Sequence, residues 1–282
     1  MIPKVSVIIP TYNQSSYIAK AIESALAQTY ANLEIVVADD CSTDSTEYAV
    51  SRFQSNDKVK YFRNPSNLGR VKNYKRALET YATGEWVVNL DGDDYFCDEN
   101  FISEVIDIIR SHPDQDIVFV QGGQYISKQG RLILDNPHIP SDTLLIDGAE
   151  YFLNFHTFQH FSHLSTVFNR KKAIEIDFYR LDIASSDMES FLRLALHGKV
   201  VLVKKPYGVW VHHTSNFSQN LTLKSARANY KYITSAHQYA RERGMDRIAL
   251  FKWKLRQQLS LLRQQGSYFV RKYGRLYSVG LS

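Results

Sequence analysis

The first 125 residues alternate two apolar patterns. "KVSVIIP" and "LEIVVADD" are short β-branched runs that stop at turn-forming or acidic residues, and each is followed by apolar positions at helical spacing. After the first run, Ile18, Ile22, Ala25 and Leu26 keep three- and four-residue steps, with Ser15 and Ser16 as candidate caps. "STDSTEYAVSRFQ" predicts a second helix capped by Ser42, Asp44 or Ser45. "KVKYF" predicts a strand, "NYKRALETY" a helix, "EWVVNLD" a strand, "ENFISEVIDIIRSH" a helix and "DIVFVQGGQYI" a further strand. Strands alternating with helices imply βαβ units: an α/β fold whose mostly parallel sheet has helices on both faces.

That alternation gives the polar clusters a location. In open α/β sheets ligands sit outside the carboxyl ends of the strands. Thr11-Tyr12-Asn13, Asp39-Asp40 and Asp91-Gly92-Asp93-Asp94 each follow a predicted strand, so all three clusters converge on one edge. Aspartates this close repel. A hard divalent cation, Mg²⁺ or Mn²⁺, relieves the repulsion between Asp91 and Asp93, and needs only one or two carboxylates when substrate phosphates complete its shell. Asp-Gly-Asp alone reads as a turn; its register with two other polar strand ends favours a metal carrying a diphosphate. No G-x-G-x-x-G follows the first strand and no G-x-x-x-x-G-K-[ST] occurs, which removes the usual dinucleotide and P-loop readings.

Composition narrows the class. The 282 residues are 44% hydrophobic and 22% charged, an ordinary soluble globular balance. The apolar run before Pro10 is too short for a secretory signal, and no stretch approaches the roughly 18 uninterrupted apolar residues that spanning a membrane needs. Cys41 and Cys97 form neither a disulfide framework nor a metal spacing, which suits a reducing cytosol and empties the sequons at Asn13, Asn216 and Asn220 of most of their meaning. Charge is uneven: residues 221–282 hold 13 Lys/Arg against Glu242 and Asp246, net +11, while the preceding chain is net −6. The expected organisation is one domain over 1–220, in two halves (to about 125, and 126–220), then a basic helical extension over 221–282.

"VSVIIPTYN", "IVVADDCSTDST", "NPSNLGRVKNYKRAL", "NLDGDDYF" and "SSDMESFLRLALHGKVVLV" occur in the order and approximate spacing of family 2 glycosyltransferases, the inverting group with the GT-A fold. The resemblance covers roughly residues 3–218. It implies a Rossmann-like nucleotide-diphospho-sugar domain, a divalent metal, and inverting transfer of a sugar, from a UDP-sugar, to a hydroxyl of a glycan or lipid-linked acceptor in surface polysaccharide synthesis. Residue by residue, it implies that Pro10, Thr11, Tyr12 and Asn13 lie along the nucleotide and that Asp39 and Asp40 contact base and ribose. In "NLGRVKN", Asn67 and Asn73 match, and Lys72 stands near the family's usual arginine, a less directional contact. Asp91 and Gly92 belong to the donor-binding D-x-D block, with Asp91 and Asp93 toward the metal; Asp94 is expected to be a structural acceptor.

An attacking hydroxyl must lose its proton, and a carboxylate opposite the diphosphate can take it. The resemblance assigns that role to Asp187, with Glu189 as the alternative carboxylate on a different helical face. It also implies a metal or diphosphate contact for His213 of "VWVHHTSNFS", followed by Asn216 and Ser218, although the family's arginine position is Val211 and His212 could substitute. His156, His160 and His163 lie in an aromatic segment placed to face the acceptor; no metal is assigned to them.

In the extension, Ile248, Phe251, Leu255, Leu259 and Leu262 recur at helical steps among Lys252, Lys254, Arg256 and Arg263. This basic amphipathic helix is expected either to lie on an anionic cytoplasmic membrane surface or to pack on the catalytic domain or a second subunit. Nucleic acid is not expected as a partner, for no recognised binding motif accompanies the basic residues. Two rival readings stand beside the transferase. A nucleotidyltransferase would need a Gly-rich basic N-terminal loop, which "IIPTYNQSS" lacks; the other rival is a nucleotide-binding scaffold without turnover.

Overall fold

The computed structural model describes residues 2–158, 162–213 and 223–277. Its first strands, β1 (Val5–Thr11) and β2 (Leu33–Asp39), are buried along their whole length, as expected of strands covered on both faces. Alternate side chains divide between two cores. Ile8, Val36 and Ala38 face one, and Val7, Ile9 and Val37 the other. The second core is covered by α1 (Ile18–Leu26), α2 (Thr46–Ser51) and α4 (Phe101–Ser111). The first lies under α3 (Arg70–Arg76) with its π-helical continuation Ala77–Tyr81, α5 (Gly148–Phe158), α6 (Arg170–Glu175) and α7 (Ser186–Ala195).

The remaining strands are β3 (Val59–Arg63), β4 (Trp86–Asn89), β5 (Tyr95–Phe96), β6 (Ile117–Lys128), β7 (Arg131–Asp135), β8 (Thr143–Asp147), β9 (Thr166–Asn169) and β10 (Lys199–His212). The sheet runs β3-β2-β1-β4-β9-β6-β10-β5, with β7 beside β6 and β8 beside β10. From β3 to β4 it is parallel, as the alternation predicts. Beyond β4 it is mixed: β9 enters antiparallel between β4 and β6, and β5, β7 and β8 also pair antiparallel. At four residues, "TVFN" is too short to show a period, and its neighbours carry a loop composition. The division expected near residue 125 falls inside β6, which runs through it unbroken.

The expected serine caps do not form. Tyr17 precedes α1 without a side-chain cap, because the Ser15 N–H is drawn across to Asp44 Oδ2 at 3.1 Å. Ser45 likewise makes no side-chain cap on α2, where Asp44 serves instead, its Oδ1 accepting the Thr46 N–H at 2.9 Å. At α7, Ser185 bonds Asn229 of α8 (Leu223–Asn229) instead of its own helix: the Ser185 N–H donates to Asn229 Oδ1 at 2.7 Å.

The basic extension shares the core of the sheet. Tyr232, Ile233 and Ala236 of α9 (Lys231–Glu242) and Leu250, Trp253 and Leu261 of α10 (Arg247–Tyr277) join the first core, where Trp253 stacks on Phe152 at 4.6 Å. Of the two expectations for the apolar stripe of α10, packing on the catalytic domain is not what it does. Ile248, Phe251, Leu255, Leu259 and Leu262 are 46–66% exposed. A second set at the same spacing, Leu250, Trp253, Gln257 and Leu261, occupies the opposite face and is buried. The helix therefore carries two apolar faces and covers one. Among the described residues no helix is long and apolar enough to cross a membrane.

Glu189 explains the joint between α7 and α9. Both it and Arg193 are fully buried, its Oε1 accepting from Arg193 Nε at 2.8 Å, Arg180 Nε at 3.0 Å and Ser235 Oγ at 2.5 Å. Glu189→Gln leaves the Arg193 guanidinium buried without its counter-charge, so it is expected to cost about 3–5 kcal/mol in denaturant unfolding. Activity per folded molecule should remain.

Candidate active site

The polar strand ends meet in a cleft of about 990 Å³. Asn13, after β1, takes a left-handed φ of 54°, which asparagine tolerates better than most residues. Its Oδ1 accepts the Thr43 N–H at 2.8 Å, and its own N–H donates to Ser42 Oγ at 2.9 Å. The ends of β1 and β2 are thus tied together, with Pro10, Thr11, Tyr12 and Asn13 along one wall.

The two aspartates after β2 separate. Asp40 lines the cleft and accepts the Leu68 and Gly69 N–H groups at 2.8 and 2.9 Å. Gly69 sits at φ 87°, a value that favours glycine and lets the turn fold over Asp40. Asp39 points away from the cleft: Ser42 donates to its Oδ1 and Tyr61 to its Oδ2, the latter at 2.6 Å. Fully buried among those donors, it braces the strand end and does not line the cleft.

The turn over Asp40 leads into α3, whose spacing decides which side chains reach the site. Arg70, Asn73 and Tyr74 share one face and line the cleft with Asn67; Lys72 falls on the other side and is exposed to solvent. The basic group facing the site is therefore Arg70, not Lys72. Arg70 Nη2 donates to the carbonyls of Ile183 and Ala184 at 3.2 and 2.8 Å, just before α7. Asn73 is largely committed to structure, donating to the Ala38 carbonyl and accepting from Asn64.

The acidic cluster follows β4. One carboxylate oxygen from each of Asp91, Asp93 and Asp94 lies within 4.8 Å of the others. Gly92 does not line the cleft: a Cβ there would stand 2.5 Å from Gln14 Oε1, so the residue allows close packing under the β1 loop. Asp94 is buried and accepts the Val211 N–H at 2.8 Å, a structural role. Asp93 Oδ2 lies 2.9 Å from His213 Nε2, and His213 stacks on Tyr17 at 4.8 Å. Asn216, Ser218 and His160 lie outside the described residues.

His163 joins the two halves of the site. Its Nε2 is 3.3 Å from Asp91 Oδ2 and its Nδ1 3.3 Å from Asp187 Oδ2. Burial alone would push the imidazole down, but the charges of Asp91 and Asp187 raise it to about 10. Burial also pushes Asp187 upward, yet His163 and Arg70 outweigh it and hold the carboxyl below its ordinary range. Tyr74 donates to Asp91 Oδ1 at 2.5 Å. Asp93 is shifted the other way, raised by burial and by the charge of Asp91. Asp187 is thus an ionised carboxylate facing the acidic cluster across one imidazole. His156, by contrast, packs beside Arg256 of α10, far from this role.

The donor set suits a hard divalent cation. Asp91 and Asp93 face the cleft, the raised Asp93 carboxyl reports a repulsion that a cation relieves, and His213 adds an imidazole, a combination Mn²⁺ accepts.

The model of "Glycosyl transferase family 2" matches residues 6–176, more than half of the sequence. The chain belongs to that family. Among similar proteins, a GalNAc(5)-diNAcBac-PP-undecaprenol beta-1,3-glucosyltransferase of Campylobacter jejuni is 36% identical over 132 residues, 46% of this chain and 41% of the relative. The poly(ribitol-phosphate) beta-N-acetylglucosaminyltransferase TarS of Staphylococcus aureus is 32% identical over 121 residues, 42% of this chain and 21% of TarS. This chain thus spans less than half the length of such curated relatives. Among solved structures, TarS 1-349 in complex with UDP-GlcNAc superposes with a TM-score of 0.69 at 21% identity, covering 89% of this chain and 70% of that one. The mannosyltransferase PcManGT of Pyrobaculum calidifontis, in complex with GDP-Man and Mn²⁺, gives 0.57 at 17% identity, covering 99% and 80%. The α/β architecture with C-terminal helices is therefore shared with GT-A transferases.

Arg70, Tyr74 and His163 are the site residues that motif matching leaves out. Helical spacing from Asn73 points to Arg70 and Tyr74. His163 carries no such signal, because the strand that places it is too short to show a pattern.

Proposed function

We propose that this family 2 chain transfers a sugar, with inversion, from a UDP-sugar to a hydroxyl of a glycan or lipid-linked acceptor. The observation that carries the reading is the arrangement of Asp187 and the Asp91–Asp93 pair on one cleft, joined through His163. Pro10, Thr11, Tyr12, Asn13, Asp40, Asn67 and Asn73 form the donor wall, and Arg70 adds positive charge beside it. Asp91, Asp93 and His213 would hold Mn²⁺ or Mg²⁺, which when bound offsets the negative charge of the departing diphosphate. Asp187 takes the proton of the attacking hydroxyl. The names of TarS and the Campylobacter enzyme, which act on a polymer and a lipid-linked acceptor, support the acceptor class. The working unit is residues 1–220 together with the extension over 221–282, whose helices α8 and α9 hold α7.

The test is nucleotide release from a panel of UDP-hexoses and UDP-N-acetylhexosamines, with GDP-mannose as contrast, in Mn²⁺ and in EDTA. Metal-dependent release of UDP supports the reading. Binding of UDP without turnover of any donor, even with oligosaccharide acceptors, would favour the scaffold reading instead.

The same reading extends to a cytoplasmic membrane face. The exposed stripe of α10 is flanked by Arg247 and Lys254 on one edge and by Lys252, Arg256 and Arg263 on the other, and no acidic residue occurs after Asp246. Apolar burial plus cationic flanks suits an anionic surface. The double variant Phe251→Asp, Leu255→Asp is expected to abolish flotation with phosphatidylglycerol vesicles, while neutral vesicles float little of either protein. Equal flotation of variant and wild type would exclude this face.

A further inference from the structure

We propose that the face formed by β7, β6 and β10 is a subsite for a pyranose ring of the acceptor, with Trp210 as its platform and Gln124 as its polar determinant. The inference rests on the donor and base assignment above and adds the chemistry of what is attacked. Strand register builds this face. Asp135 pairs with Gln124 and Ile133 with Ile126 across β7 and β6; Gly208 pairs with Gln124 and Trp210 with Ile126 across β10. Because side chains alternate, these residues project to one side in two rows. Asp135 and Gln124 form a polar row, and Ile133, Ile126 and Trp210 an apolar one.

The rows share the cleft with both chemical centres. Gly208 lets Leu164 pack against the end of the polar row, since a Cβ there would stand 2.6 Å from Leu164 Cγ, and Leu164 follows His163, the neighbour of Asp187. Trp210 precedes Val211, whose N–H is fixed to Asp94. Gln124, Ile126, Asp135 and Trp210 all line the same cleft as Asp187 and Asp93. A molecule on this face therefore sits beside the base and next to the leaving diphosphate.

One observation points to a ligand. Gln124 is 5% exposed, its Nε2 donates to Asp135 Oδ2 at 3.2 Å, and its Oε1 has no hydrogen-bond partner. A buried acceptor left unmet is unfavourable, and a hydroxyl donor meets it. A pyranose supplies that donor together with an apolar face of C–H bonds, which matches an indole beside a polar row. An alditol phosphate offers no ring face, and among the described residues no Lys or Arg of these three strands lines the cleft to meet a phosphate. The geometry thus favours a sugar ring over a phosphate-bearing chain at the position next to the base.

The test is saturation-transfer NMR on the full chain loaded with UDP and Mn²⁺. The probes are methyl β-glucopyranoside, methyl β-galactopyranoside and methyl N-acetyl-β-glucosaminide, with ribitol 5-phosphate as the contrast. At least one pyranoside should bind through one ring face. Trp210→Ala should weaken it on the order of tenfold, the scale of a lost aromatic contact, and Trp210→Phe should retain most of it. Gln124→Leu should weaken it as well, with UDP affinity unchanged in all three variants. Pyranoside signals equal in wild type and Trp210→Ala overturn the subsite, as does ribitol 5-phosphate binding without any pyranoside, or no probe binding while UDP binds. Loss of UDP binding with Trp210-dependent pyranoside signals intact overturns the donor assignment and leaves the subsite standing.

Discussion

Asp187→Asn is expected to lower sugar transfer by about 10²–10⁴-fold, the contribution of a positioned general base, while UDP affinity stays within about twofold of wild type. The variant removes the basicity of the side chain while keeping its hydrogen bond to the helix backbone. Asp187 Oδ1 accepts the Met188 N–H at 2.8 Å, and an amide oxygen can do the same. The carboxylate is already in the form a base requires, since His163 and Arg70 hold it ionised despite its burial. Nothing else on α7 can replace it, for Glu189 is fully buried and engaged by Arg193, Arg180 and Ser235. Transfer and UDP titration on the same preparation, with a thermal melt to show that the fold is kept, check the prediction. Near-normal transfer by a folded Asp187→Asn protein would remove Asp187 from the chemistry.

How much of this is legible in the chain differs between its halves. The parallel half from β3 to β4 is readable because its strands are mostly apolar, β-branched or aromatic runs that end in polar residues, and the helices between them keep their step. Convergence of Thr11, Asp40 and Asp91 follows from that topology alone. The mixed half is not, since β9 is four residues long and β5 only two, so neither shows a period. His163 stands just before β9, so its bridge between Asp91 and Asp187 stays hidden among neighbouring histidines. Asp39 and Asp40 look alike in sequence, but strand alternation sends them opposite ways and Tyr61 takes the first. Lys72 resembles a motif arginine by position, whereas the turn of α3 puts Arg70 toward the cleft. In α10 one apolar stripe is visible, but a helix with two such stripes does not reveal from sequence which one the domain covers.

Asp93→Ala should produce the largest loss in donor binding. On the proposed reading Asp93 and Asp91 supply the carboxylates toward the diphosphate, and removing one would halve the carboxylate charge available to a cation whose other ligands would be His213, waters and phosphates. The raised Asp93 carboxyl shows what the cluster does without compensation: burial and the neighbouring Asp91 charge disfavour its ionised form. Alanine relieves that repulsion, so Asp93→Ala should melt no lower than wild type in the absence of ligand. Stability and function then move in opposite directions, which separates a metal ligand from a turn residue whose loss would simply unfold the loop.

The most direct measurement is the thermal stability of wild type and Asp93→Ala with UDP, each in Mn²⁺ and in EDTA. A ligand that binds only the folded chain stabilises it by roughly 2.7 kcal/mol at 100-fold saturation, a rise of about 5 °C for a protein of this size. The account predicts that rise for wild type with UDP and Mn²⁺ together, little with UDP in EDTA, and none for Asp93→Ala in either condition. An equal UDP shift in EDTA, or the full shift retained by Asp93→Ala, would contradict a metal-held diphosphate and return the acidic cluster to the role of a turn.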